Sequence, residues 1–73
     1  MLQCGQKYKI TGFNKKIDRQ YRHSLLAMGM IPGASFLVKR FAPFSSTVQI
    51  ELEQFNLSLR ENELADVLLE AVA

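Results

Sequence analysis

A chain of 73 residues suffices for one domain with a thin hydrophobic core and leaves no room for a water-excluding catalytic cleft beside its scaffold. With 48% apolar and 22% charged residues the composition is that of an ordinary globular domain, which argues against disorder. The net charge of +2 conceals a polarity: residues 1–40 carry eight Lys/Arg against Asp18 (+7), and residues 41–73 carry Arg60 against six carboxylates (−5), enough to steer a partner or pair two copies weakly head to tail unless the fold interleaves the halves.

The first six residues, Met1-Leu2-Gln3-Cys4-Gly5-Gln6, lack the basic and apolar regions of a secretory leader. Cys4 is the only cysteine, so an internal disulfide is ruled out, and Lys7 is the nearest cation, weak grounds for an activated thiolate. Lys7 to Phe13 alternates Tyr8, Ile10 and Gly12 against Lys7, Lys9 and Thr11, which predicts a strand with one wet face and a bulge or bend at Gly12. The period then changes. Ile17, Tyr21, Ser24, Leu25 and Met28 fall on one helical stripe, with Asp18 as N-cap. Gly29 suits the left-handed position that ends a helix, Met30 supplies the apolar residue that follows it, and Pro32 forbids continuation. Ile31-Pro32-Gly33-Ala34 reads as a type II turn.

Three more strands follow: Ser35 to Ala42, ended by Pro43; Thr47 to Leu52, with Val48, Ile50 and Leu52 inward; and Phe55 to Arg60, with Phe55, Leu57 and Leu59 inward. Glu53-Gln54 makes the last two a tight hairpin. Glu61 to Asp66 is predicted to hold about one helical turn, and Val67 to Val72 to be a closing strand. The longest apolar stretches, Leu25 to Met28 and Val67 to Leu69, fall far short of the ~20 residues a spanning helix requires, so no membrane insertion is expected. So short a sheet buries its apolar face best by curling on itself. The expected fold is mainly β: a small SH3-like β-barrel of about five strands, one α-helix after the first strand and a short helical turn before the last, forming a single domain over 1–73.

The side chains that catalysis requires are missing. His23 is the only histidine and lies off the apolar stripe, as a solvated surface residue does. One cysteine and one histidine cannot form a zinc site. Glu51 with Glu53, and Glu61 with Glu63, are oxygen donors able to hold a divalent cation weakly, although a solvated acidic face is the commoner reason for such spacing; no metal ligand is assigned. Gly29 to Gly33 lacks the lysine and hydroxyl of a phosphate loop, so no cofactor is expected. Lys7, Lys9, Lys15, Lys16, Arg19 and Arg22 near Tyr8 and Phe13 leave a nucleic-acid-binding barrel as an alternative, against which the C-terminal carboxylates argue.

A binding surface is easier to find. Leu26 lies about 145° from the middle of the helix's apolar stripe, with Arg22 and Arg19 one and two turns before it. Arginine around an apolar anchor is the composition enriched at interface centres; the alternative is that Leu26 tucks against its own loop, Asn14 to Ile17. Met30 and Ile31 follow at the helix end, and Phe41-Ala42-Pro43-Phe44 forms a second apolar surface candidate.

Tyr21-Arg22, Leu25-Leu26, the run Met28 to Gly33, Ala42-Pro43 and Leu57 to Arg60 together resemble the FeoA family, the small accessory proteins of bacterial ferrous iron uptake. The resemblance runs from Lys7 to the C-terminus, and the stretch from Tyr21 to Gly33 is its specific part. It implies an SH3-like barrel similar to the C-terminal domains of iron-dependent repressors. It further implies a cytoplasmic protein that engages the FeoB transporter, a permease with a cytoplasmic GTPase domain, and reaches the inner membrane only through it. No iron site is implied. Carried onto this chain, the motif covers Tyr21, Leu25, Leu26, Gly29, Met30, Pro32 and Gly33. Tyr21 and Leu25 are expected to pack inward, Gly29, Pro32 and Gly33 to shape the backbone, and Leu26 with Met30, beside Arg19 and Arg22, to face the partner. The turn at Glu53-Gln54 must close without the glycine many relatives carry there.

Overall fold

The computed structural model describes residues 2–72. Its elements are β1 (Lys7–Phe13), α1 (Arg19–Ala27), β2 (Ser35–Phe41), β3 (Thr47–Glu51), β4 (Asn56–Arg60), a 3-10 turn (Glu61–Leu64) and β5 (Val67–Val72). The strands form one antiparallel sheet in the order β4-β3-β2-β1-β5. Alternation decides the faces: Tyr8, Ile10, Phe36, Val38, Val48, Ile50, Leu59 and Val67 point into one core, while Lys7, Lys9, Gln49 and Glu51 stay in water. Leu25 from α1, Leu64 from the 3-10 turn, and Met30 and Leu52 complete that core. The sheet curls around them as a small SH3-like barrel. Each large side chain fully buried there contributes roughly 1.5–3 kcal/mol of transfer free energy, which offsets the entropy of ordering so short a chain.

Helix α1 starts where its cap is. Asp18 has extended backbone (φ −61°, ψ 134°), and its Oδ2 accepts from the Tyr21 N–H at 3.0 Å. It ends in a Schellman motif. The Met30 N–H donates to the Leu25 carbonyl at 3.0 Å and the Gly29 N–H to the Leu26 carbonyl at 3.1 Å, with Gly29 at φ 92°. The type II turn follows, its Ala34 N–H donating to the Ile31 carbonyl at 3.0 Å and Gly33 taking the required positive φ of 95°. This exit is sewn onto β1: the Gly33 N–H donates to the Ile10 carbonyl (2.7 Å), and the Ile10 N–H to the Ala34 carbonyl (2.8 Å). The expected irregularity in β1 is present as a register shift against β5 between Ile10 and Gly12.

Two expectations are corrected here, and the open question of the charge halves is decided. Phe55 does not point inward; β4 begins one residue later, and Phe55 is 45% exposed. Its ring turns onto the helix exit, where Gly29 leaves space, a Cβ there lying only 3.4 Å from the Phe55 Cζ. Ser24 is exposed rather than on the buried stripe, and its hydroxyl donates to the Gln20 carbonyl at 3.1 Å. The charge halves do not stand apart, because the strand order places β5 beside β1. Lys9 is therefore opposite Glu70, and Lys39 Nζ lies 3.4 Å from Glu51 Oε2 across β2 and β3. The Glu53-Gln54 turn closes through the Leu52 N–H donating to the Phe55 carbonyl at 2.8 Å, and no described non-glycine residue has a positive φ, so the turn needs no glycine.

Candidate docking surface

The two sides of α1 meet different environments. On the inner side Leu25 is fully buried, and Ile17, Tyr21 and Met28 pack against the core. The Tyr21 hydroxyl donates to the Glu63 carbonyl at 2.7 Å, tying the helix to the 3-10 turn. Burial, with the Glu63 charge and hydrogen bond and then the Asp66 charge adding to it, pushes the Tyr21 phenol up to about 12. On the outer side Arg19, Arg22 and His23 are exposed. Leu26 is half-buried, yet it is not among the side chains packed against the core.

Met30 does not belong to this outer surface. It is 0% exposed and sits in the core. The physical reason is the Schellman motif itself, which brings the residue after Gly29 back against the last inward turn, so that Met30 joins Leu25. Ile31, one residue on, is the one that emerges, at 48% exposure. Pro32 and Gly33 are also at the surface, where they shape the turn. With Phe55 and Leu37, Ile31 lines an open cleft of about 1280 Å³ that also meets Lys7, Glu51 and Glu53. Phe55 was missed as a surface residue because it lies just before β4, outside the strand whose alternation would turn it inward.

Of the candidate ligand and nucleophile side chains, three have local partners. Glu51 meets Lys39, and Glu63 Oε1 accepts from the Arg60 N–H at 3.0 Å. The exposed Cys4 thiol donates to the Lys39 carbonyl at 3.0 Å. Among the described residues no group of three or more His, Cys, Asp or Glu side chains converges as a metal site would require, and no helix is long and apolar enough to cross a membrane.

Known proteins resemble this chain in sequence and in fold. The FeoA domain family matches residues 1–71. A Pseudomonas aeruginosa protein solved by NMR is 39% identical, with 99% of this chain and 96% of that chain covered and a TM-score of 0.77. A FeoA-like protein from Clostridium acetobutylicum (25% identity, 99% and 81% covered) superposes with a TM-score of 0.85. The FeoA protein from Chlorobium tepidum (25% identity, 99% and 67% covered) superposes at 0.86. A family match over almost the whole length, on a fold those structures share, makes this chain a member of the FeoA family.

Proposed function

We propose that this chain is a cytoplasmic accessory protein of bacterial ferrous iron uptake that catalyses no reaction itself and docks onto the cytoplasmic side of a FeoB-type transporter. The docking surface is the outer face of α1, with Leu26 as apolar anchor, Arg19 and Arg22 around it, and Ile31 in the place first expected for Met30. One observation carries this reading: a leucine unused by the core stands among exposed arginines on a helix whose other side fills the barrel. Family membership supplies the setting of iron uptake.

The two alternatives have less support. A nucleic-acid module needs an uninterrupted basic track, and here Lys9 stands opposite Glu70 while Lys39 is held by Glu51. A carboxylate metal carrier needs converging oxygen donors, and among the described residues no three His, Cys, Asp or Glu side chains come together.

The variant that tests the docking reading is Leu26→Glu. It is expected to keep a native NMR spectrum, because Leu26 is not packed against the core, and to lose both co-purification with the detergent-solubilised transporter and support of iron-dependent growth. Retained binding and growth in a folded Leu26→Glu protein would remove the helix face as the docking surface.

A further inference from the structure

Away from the outer face of α1, a groove of about 650 Å³ opens between β1, the end of β2, the 3-10 turn and β5. Leu2, Tyr8, Phe41, Leu64, Ala65 and Leu69 make its apolar walls, and Glu61 is the charged residue among its lining. Beside it stands the loop between β2 and β3, residues 42–46. Phe44 in that loop is 100% exposed, the most exposed of the large apolar side chains described.

The loop is tied down at its base and at the groove's rim, and its ring stands in solvent, not in this groove. The Ala42 N–H donates to the Thr47 carbonyl at 2.9 Å and closes the base of the loop. The Glu61 N–H donates to the Ser46 carbonyl at 2.7 Å and fastens the loop to the groove's rim. Glu61 lines the groove and holds Ser46, two residues after Phe44, so the exposed ring and the groove are neighbours, knob beside hole. Their charges complement each other as well. Arg40 and Arg60 flank the base of the loop, opposite Gln49 and Thr47, both exposed and in no ion pair among the described residues, whereas the rim of the groove carries Glu61.

We propose that this face pairs two copies of the chain about a two-fold axis, each seating Phe44 in the other's groove and setting Arg40 and Arg60 beside the other's Glu61. A second copy is the occupant that fits, because both halves of the contact, a cation-flanked aromatic and an apolar hole with an anionic rim, are already present side by side on one surface. That is the requirement for a self-complementary, closing interface. With one ring and one short loop per side, the contact belongs with small interfaces, and pairing is weak. Neither Leu26 nor Arg22 takes part, so the pair presents two copies of the helix face proposed above and stands or falls independently of it.

Sedimentation velocity and NMR spectra followed from micromolar to millimolar protein test the pairing. The wild type is expected to dimerise over that range, and Phe44→Ser and Ala65→Glu are each expected to weaken self-association by about tenfold or more while retaining native monomer spectra. Arg40→Glu, which spares the groove, is likewise expected to weaken self-association, and pairing as tight as wild type in this variant overturns the charge contact. Phe44→Ser keeps an intact groove and Ala65→Glu an intact knob, so a mixture of the two should associate better than either alone, with shifts at Leu64 and Leu69 of the labelled Phe44→Ser partner. A wild type monomeric to millimolar concentration overturns the proposal. So does a Phe44→Ser variant that pairs as tightly as wild type, or ring contacts from Phe44 to Leu69 that persist unchanged on dilution and place the ring in its own groove.

Discussion

The inner and outer sides of α1 are nine residues of one helix under opposite constraints. Inward, Leu25 is sealed in the core and Tyr21 is tied to Glu63; outward, Leu26 lies among arginines without joining the core. In a domain this small the net stability is roughly 3–5 kcal/mol, so few side chains can be withdrawn from the core without unfolding it. A partner surface must then be assembled from side chains that the barrel does not need. Substitutions on the two sides should therefore separate cleanly, those inside lowering stability and those outside lowering association.

The largest effect is expected from Leu25→Ala or Met30→Ala. Both residues are fully buried, and deleting such a side chain costs about 2–5 kcal/mol, comparable with the whole stability of the domain. Urea titration followed by circular dichroism should find either variant largely unfolded or close to it. Met30→Ala sharpens the comparison, since a neutral outcome would return Met30 to the surface. Gly29→Ala comes next, at about 1–2 kcal/mol for forcing a side chain into the left-handed region. Part of its cost is contact with the Phe55 ring. A double-mutant cycle with Phe55→Ala should recover that part and leave the backbone penalty.

Tyr21→Phe is smaller, about 1 kcal/mol for the lost hydrogen bond to the Glu63 carbonyl. It also carries a pH signature. The folded phenol titrates near 12 against an ordinary value of about 10, so the fold favours the neutral form. Its contribution is fully present below pH ~10 and is lost as the pH rises from there through the folded value near 12. Alkaline unfolding of wild type should show this falling limb, and Tyr21→Phe should flatten it. A limb identical in both proteins would assign it to other groups.

How much of this could be read from the sequence follows the range of the forces involved. The cap at Asp18, the stop at Gly29 and the turn at Pro32-Gly33 are set by residues a few positions apart, and each stands where the pattern places it. Met30 was misplaced by grouping it with Leu26 and Ile31 as surface at the helix end; α1 stops at Ala27, and beyond it the Schellman geometry turns Met30 inward. Phe55 was misplaced by extending strand alternation one residue before β4, at a point where a distant glycine makes space for its ring. The interleaving of the charge halves depends on β5 lying beside β1, a matter of strand order that composition does not reveal. The nearness of the Phe44 loop to the groove rests on the bond from Glu61 to Ser46, a pairing that local patterns do not disclose.

The most direct test of the central claim is NMR of the isotope-labelled protein titrated with unlabelled, detergent-solubilised full-length transporter. The account predicts that the signals of Arg19, Arg22, His23 and Leu26 broaden first, while those of Leu64 and Leu69 in the groove keep their intensity. Loss of signal beginning at Phe44 and the groove, with the helix amides untouched, would contradict it.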